Sequence, residues 1–295
     1  MFPDPRFVEC DGRTIAVEDA GPPDGFPVLV HHGGGSRHLE PAAVREARRH
    51  GLRLISYDRA AYGGSTPRPG RVIADCEPEV EAILNDLEIG RIAVWGFSGG
   101  APYALATAAL LPEAVVAACV LAPRGPYGAP GLDFFAGMGE SAREEVRLFF
   151  ADRVAARKKF RTDSAEFYVR LSTPAGWLER WGDQAGMDSA HSEEAARYLA
   201  ATWQDGWTHG DDGWWDDWCA FLSPWGFEVD AITAPVGLWH GLADQHCSPS
   251  HSRWLAERIP HVVARFTEDD DHTNIEEHNR AEAYAWLGKQ LRPSP

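Results

Sequence analysis

Basic residues are scarce in this chain. Its 295 residues carry 28 Lys and Arg against 44 Asp and Glu, a formal net charge of -16. Such a chain repels nucleic-acid phosphates and anionic membrane surfaces, and no basic stripe offsets the charge. No nucleic acid and no membrane is therefore expected as a partner. Cysteine is sparse too. Cys10, Cys76, Cys119, Cys219 and Cys247 are odd in number, widely spread and never in a Cys-x-x-Cys pair. That argues against a disulfide framework or a zinc site and fits free thiols in a reducing cytoplasm. No apolar run reaches the roughly 18 residues that a membrane helix needs. The start, Met1-Phe2-Pro3-Asp4-Pro5, has no basic or apolar leader pattern, so no signal peptide is expected. Gly-x-x-x-x-Gly-Lys and His-Glu-x-x-His are both missing, so neither a phosphate-cradling loop nor a zinc-protease helix is expected.

What is present suits a large core. Apolar residues make up 44% and charged residues 24% of the chain, ordinary values for a globular protein. The length suits one large α/β domain, or one carrying an insertion. Phe7 to Cys10 and Thr14 to Val17 flank Asp11-Gly12 and predict a hairpin. Four short apolar runs follow: Val28 to Val30, Leu52 to Ile55, Ile92 to Trp95 and Val115 to Leu121. Each is too short for a typical helix, and buried parallel strands read this way. Helical segments lie between them, at Glu40 to His50, Glu77 to Leu87 and Ala101 to Leu111. This alternation predicts right-handed crossovers and a parallel sheet.

The alternation stops at Ala122 to Pro126 and resumes at Pro235 to Trp239. The roughly 110 residues between show little strand signal and read as a helical insertion. Ser141 followed by Glu144 predicts a capped helix running toward Phe160, and Ser192 to Trp203 predicts another. Beyond the insertion, Ser248 and Pro249 open a helix. A strand is expected at His261 to Phe266, and a last helix from Ile275 to Leu291.

The chemistry centres on Gly96-Phe97-Ser98-Gly99-Gly100, directly after a strand and before an Ala-rich helix. A serine on so tight a turn has a strained backbone. Gly96 and Gly100 remove side chains that would clash as strand and helix close. The helix N-terminus favours developing negative charge. A serine hydroxyl needs a base, and His272 follows the last strand. Asp244, after the strand ending in Trp239-His240, is the acid expected to orient it. Asp270 and Asp271 are its rivals. The chain order Ser98, Asp244, His272 is the one expected for an elbow of this kind. Two backbone donors must hold an oxyanion. Gly99 follows the nucleophile, and Gly34 is the choice within His32-Gly33-Gly34-Gly35-Ser36. His31 and His32 are a poor metal pair, because neighbours on a strand point to opposite faces. No metal or organic cofactor is implied.

These residues resemble the α/β-hydrolase family. The resemblance rests on His32-Gly33-Gly34-Gly35, Tyr57-Asp58-Arg59 with Tyr62-Gly63-Gly64-Ser65, the Ser98 elbow, Gly241 to Asp244, and His272. It runs in family order over nearly the whole chain. It implies an α/β fold with an eight-stranded, mostly parallel sheet. The core would be 1–124 and 231–295, with a helical cap at 125–230. Within the family the chain is similar to proline iminopeptidases and small-molecule esterases. Capped members often place Pro in the oxyanion loop, where this chain has three glycines. Haloalkane dehalogenases and epoxide hydrolases need an aspartate where this chain has Ser98.

The expected function is a serine hydrolase acting on an ester or amide of a small, apolar or aromatic molecule. A small-molecule substrate is the expected partner, and a homo-oligomer is left open. An aminopeptidase would need a cap carboxylate for the amino group, and Glu166, Glu179, Asp205, Asp212 and Asp216 are available. A carbon–carbon bond hydrolase, a lyase or a biosynthetic cyclase would use the same triad. A binding protein on a silent scaffold is the remaining alternative. Trp177, Trp181, Trp203, Trp207, Trp214, Trp215, Trp218 and Trp225 suggest an aromatic roof over Ser98. Their simpler role is packing of the insertion.

Overall fold

The computed structural model describes residues 2–181 and 189–291. Eight strands form one sheet: β1 Arg6–Cys10, β2 Arg13–Ala20, β3 Phe26–His31, β4 Leu52–Tyr57, β5 Ile92–Phe97, β6 Val115–Leu121, β7 Val236–Gly241 and β8 Val262–Thr267. Their spatial order is β1-β2-β4-β3-β5-β6-β7-β8. The β1–β2 and β2–β4 pairs are antiparallel, and all later pairs are parallel. Asp11 and Gly12 both take positive φ, 51° and 74°, as the tight turn between β1 and β2 requires.

The helices are α1 Pro41–Arg49, α2 Glu77–Asp86, α3 Ala101–Leu110, α4 Glu140–Ala151, α5 Arg153–Leu171, α6 Pro174–Trp181, α7 Ser189–Gly206, α8 Asp212–Phe221, α9 Pro249–Ala256 and α10 Ile275–Gln290. Helices cover both faces of the sheet, which is why the central strands read as continuous apolar runs. Alternate residues of β5 serve opposite layers. Val94 packs with α2, α3 and α9 through Ile83, Leu105 and Leu255. Ala93 and Trp95 pack with α1 and α10 through Ala47, Tyr284 and Leu287. The edge strand β8 instead alternates, with Val263 exposed. The cysteines are free and buried. No helix among the described residues is long and apolar enough to cross a membrane.

Helices α4 to α8 all lie between β6 and β7. The single helix expected from Ser141 to Phe160 is two. Asp152 is extended, with φ -151°, and its carboxylate accepts from the N–H groups of Val154 and Ala155. An aspartate with a free carboxylate competes well as an N-cap, so it opens α5 and ends α4. Ser141 lies within the first turn of α4, and Gly139 holds the cap position. Ser248 does cap α9, accepting from the Ser250 N–H, with Pro249 in the first turn. The inserted helices build two small clusters. One surrounds Phe134, Val146 and Phe149, and the other Leu171, Trp177 and Trp203. Ala220, Phe221 and Trp225 join the main-body core instead.

A histidine ties α7 to the sheet. His38 is buried between Glu18 of β2 and Asp205 of α7, at 2.9 Å from each carboxylate. Phe2 stacks on its ring at 3.4 Å, and Arg37 pairs with the same Asp205 at 3.0 Å. Burial works against a charge on His38, but the hydrogen bonds to Asp205 and Glu18 outweigh it and raise its pKa. The His38 bond in turn lowers the pKa of Asp205. A raised histidine pKa contributes stability that is complete below the unfolded value of about 6.5 and is lost as pH rises through the folded value. The Asp205 contribution is present above about pH 4 and is lost on acidification. The thermal midpoint should therefore fall as pH rises through and above neutrality, and His38→Gln should flatten that slope. A wild-type slope unchanged by His38→Gln would show that other groups set it.

Candidate active site

Strand β5 ends at Phe97, and α3 starts at Ala101. Ser98 between them takes φ +51°, a left-handed conformation costing an L-residue about 1–2 kcal/mol. Close packing enforces it. A Cβ on Gly100 would stand 1.9 Å from the His31 carbonyl oxygen, and one on Gly96 would stand 2.7 Å from Ala101 Cα. Glycine at both positions lets α3 start directly under the strand, with Ser98 at the apex.

The structure brings Ser98, His272 and Asp244 together. Ser98 Oγ lies 2.8 Å from His272 Nε2, and His272 Nδ1 lies 2.7 Å from Asp244 Oδ2. Asp244 is buried. Its Oδ1 accepts from the backbone N–H groups of His246 and Cys247, each at 2.8 Å. His240 Nε2 lies 3.3 Å from Oδ2. Burial pushes this carboxyl up, but hydrogen bonds from His240 and His272 outweigh it and hold it well below the usual carboxylate range. An ionised Asp244 takes the Nδ1–H of His272 and leaves the Nε2 lone pair facing the Ser98 hydroxyl. The rival acids have other partners. Asp270 accepts from His278 Nδ1 and Asn279 Nδ2 of α10. Asp271 accepts from the Thr273 and Asn274 backbone and the Thr273 hydroxyl.

The glycine loop lies against the elbow. A Cβ on Gly33 would stand 3.7 Å from Ser98 Cβ. Gly34 and Gly35 are bare for a second reason, which the sequence did not reveal. Helix α7 sits directly on them. A Cβ on Gly34 would meet Trp203 Cζ2 at 3.1 Å, and one on Gly35 would meet Thr202 Cγ2 at 2.4 Å. Gly206 of α7 answers them, since a Cβ there would lie 2.2 Å from the Gly35 carbonyl oxygen. His31 and His32 are buried, and burial together with Arg59 depresses both, His31 to about 3. His31 contacts Tyr57 and Thr107, while His32 accepts from the Arg59 N–H.

A buried ionic knot holds this loop, and sequence reasoning missed it. Arg59 donates to the carbonyls of His32 and Gly33. The same guanidinium pairs with Asp217 of α8. Asp217 also accepts from Arg71, Tyr62 and Tyr103 at 2.6, 2.9 and 2.7 Å. Asp216-Asp217 reads in sequence as a short acidic cluster, and only folding buries both against arginines. Asp217→Ala would leave Arg59 and Arg71 buried beside one another without their shared anion. It should cost about 3–5 kcal/mol of stability, measured by urea unfolding. A loss under about 1 kcal/mol, the scale of a surface pair, would show that the knot is solvated in solution.

The other acids weighed for an amino group are mostly engaged. Asp205 pairs with Arg37 and His38, Asp212 with Arg157, Asp216 with Arg71, and Glu179 with Arg170. Glu166 is exposed. Trp203 and Trp177 are buried together 6.2 Å apart, and Trp203 meets Trp214 at 5.2 Å. Trp207 stacks on Tyr168, and Trp215 packs against Phe149 and Phe160. Trp225 packs into the main body beside Phe227 and has no part in a roof. The Trp181 side chain lies outside the described residues.

Comparison with known proteins bears on the family and the fold. The model of the alpha/beta hydrolase family matches residues 28–286. A non-heme chloroperoxidase of Streptomyces lividans is 27% identical over 246 residues, 80% of this chain and 80% of that protein. A proline iminopeptidase of Arabidopsis thaliana is 31% identical over 108 residues, 36% of this chain and 28% of that protein. The esterase structure from Exiguobacterium antarcticum superposes with a TM-score of 0.68 at 18% identity, covering 97% of this chain and 99% of that one. At that identity the structural likeness speaks for the fold. With the family match over residues 28–286, the strand order and the Ser98 elbow in agreement, this chain belongs to the alpha/beta hydrolase family and is an enzyme of the hydrolase kind.

Proposed function

We propose that the protein is a serine hydrolase that cleaves an ester or amide of a small, apolar or aromatic molecule through an acyl-enzyme. The observation that carries this is the hydrogen-bond chain from Ser98 Oγ through His272 to Asp244, at 2.8 and 2.7 Å. Its geometry suits stepwise proton transfer. His272 Nε2 takes the Ser98 proton as Oγ attacks the substrate carbonyl carbon. Asp244 stabilises the imidazolium. His272 then protonates the leaving alcohol or amine, the acyl group stays on Ser98, and water repeats the sequence to release the acid.

Gly34 and Gly99 supply the oxyanion donors in this reading. Support for Gly34 comes from the peptide that joins it to Gly33. Arg59 and His32 engage the Gly33 carbonyl, and in a trans peptide the following N–H points the opposite way. Arg59 then acts as a positioning residue for the donor. The segment 125–230 serves as a cap, with Trp203 excluding water above Gly34. Ion pairing of most cap carboxylates favours an ester over a free-amine substrate. The buried thiols suit a reducing cytoplasm.

The test is labelling with a fluorophosphonate followed by a panel of p-nitrophenyl esters varied in the acyl group. Labelling should fall on Ser98, and apolar or aromatic acyl groups should be cleaved faster than acetyl. A folded protein that neither labels nor cleaves any ester would sink this reading.

A further inference from the structure

Among the described residues, Arg37, Arg59, Arg71 and Arg124 are buried arginines. Three of them meet carboxylates: Arg37 meets Asp58 and Asp205, Arg59 meets Asp217, and Arg71 meets Asp216 and Asp217. Arg124 differs. It is 5% exposed, its Nη1 is buried with no acceptor, and its Nη2 reaches the Cys247 sulfur at 3.8 Å. Its guanidinium lies over the Trp218 ring at 5.0 Å and the Phe221 ring at 5.8 Å. A cation withdrawn from water and left without an anion is strongly disfavoured, so such a group points to a ligand that completes it.

Topology puts this cation next to the chemistry. β6 lies between β5 and β7, and all three run parallel. Ser98 leaves β5, Asp244 follows β7, and Arg124 leaves β6 through Ala122, whose φ is +45°. All three therefore stand beyond the same ends of adjacent strands, where ligands of such sheets bind. Phe221 connects Arg124 to the elbow, because a Cβ on Gly99 would stand 3.1 Å from the Phe221 ring. Cys247 connects it to the triad, because its N–H donates to Asp244.

Among the described residues, no carboxylate forms an ion pair with Arg124. Burial pushes the Cys247 thiol up to about 11 and depresses His251 to about 4, so both are neutral near pH 7. Asp244 is committed to His272 and to two backbone N–H groups. Glu145 of α4 feels the guanidinium, but burial raises its carboxyl and no ion pair joins the two.

We infer that Arg124 is the anion-binding residue of the substrate pocket, and that the substrate of Ser98 carries a free carboxylate besides the bond to be cleaved. The carboxylate completes the guanidinium, and Trp218 and Phe221 flank the carbon chain leading to the reacting carbonyl. A planar guanidinium pairs well with a planar carboxylate. This rests on the serine-hydrolase reading and narrows its substrate to acidic esters or lactones.

The test compares the p-nitrophenyl monoester of glutaric acid with p-nitrophenyl valerate, whose acyl chains match in length and differ by one carboxylate. Wild-type kcat/KM should favour the anionic ester by about tenfold or more. Arg124→Met should bring that ratio to about one or below, and Arg124→Lys should restore part of it as a point charge without the fork. The ratio is read within each protein, so a general loss of activity does not mimic the result. Glutarate itself should raise the melting temperature of the wild type and leave Arg124→Met unmoved, a readout independent of catalysis. A wild-type ratio at or below one, a ratio kept in Arg124→Met, or no glutarate stabilisation of the wild type would each overturn the inference. If neither ester is cleaved and Ser98 does not label, the hydrolase reading fails instead, and the glutarate shift still decides whether Arg124 binds a carboxylate.

Discussion

Ser98→Ala is expected to abolish fluorophosphonate labelling and to lower kcat by about 10⁴- to 10⁶-fold, with the protein still folded. The substitution removes Oγ, the atom 2.8 Å from His272 Nε2. Neighbouring donors and the substrate pocket remain, so a residual rate above that in water is expected. Folding should survive because alanine tolerates the φ of +51° about as well as serine does. The enforcing contacts come from Gly96 and Gly100, which are untouched. The measurement is steady-state turnover of a chromogenic ester, with intact-mass analysis after labelling and a thermal melt as a control. Unchanged turnover in a folded Ser98→Ala protein would end the serine mechanism.

Asp244→Asn should lower kcat by about 10⁴-fold, the scale set by a wrong histidine tautomer. The hydrogen bonds explain why an isosteric change is so damaging. Two backbone N–H groups point at Oδ1, from His246 and Cys247. As donors, they can be met only by the amide oxygen of an asparagine. The NH₂ group must then take the place of Oδ2 and face His272 Nδ1. That nitrogen becomes an acceptor, the proton moves to Nε2, and the base presents N–H to the Ser98 hydroxyl. Asp270→Asn supplies the contrast. It disturbs bonds to His278 and Asn279, which anchor the loop to α10, and should lower stability far more than kcat. Its effect on kcat should stay within about tenfold. If Asp270→Asn proves the more damaging to kcat, the orienting acid is wrongly assigned. Combining Asp244→Asn with His272→Ala should cost little more than His272→Ala alone, because the triad acts as a unit.

The Ser98 elbow and its partners were legible before folding because each obeys a local rule. A strand, a glycine-flanked serine and a helix can connect in few ways. Asp244 and His272 follow strands whose apolar runs are plain in the sequence. The helix break at Asp152 was less legible. Its carboxylate reaches only three residues along the chain, yet helical composition continues on both sides and hides the cap. The two acids after the last strand ranked below Asp244 on sequence grounds, but what they bind instead was not legible there. Their true partners, His278 and Asn279 for Asp270 and Thr273 with Asn274 for Asp271, emerge from the path of the loop.

Apolar periodicity and glycine spacing alone thus predicted the alternating strands and helices, the helix-rich stretch between β6 and β7, and the glycine-flanked turn at Ser98. These are short-range properties, since burial of a strand and closure of a turn depend on residues a few places apart. The tertiary structure alone decided how charges and rings meet across the chain. Asp217 joins Arg59 over 158 residues, Trp203 comes to rest on Gly34, and Arg124 is buried without an acid among the described residues. No local pattern encodes such contacts. A charged side chain looks the same in sequence whether solvent or protein surrounds it, and the low dielectric that gives a buried charge its consequence exists only after the chain has packed.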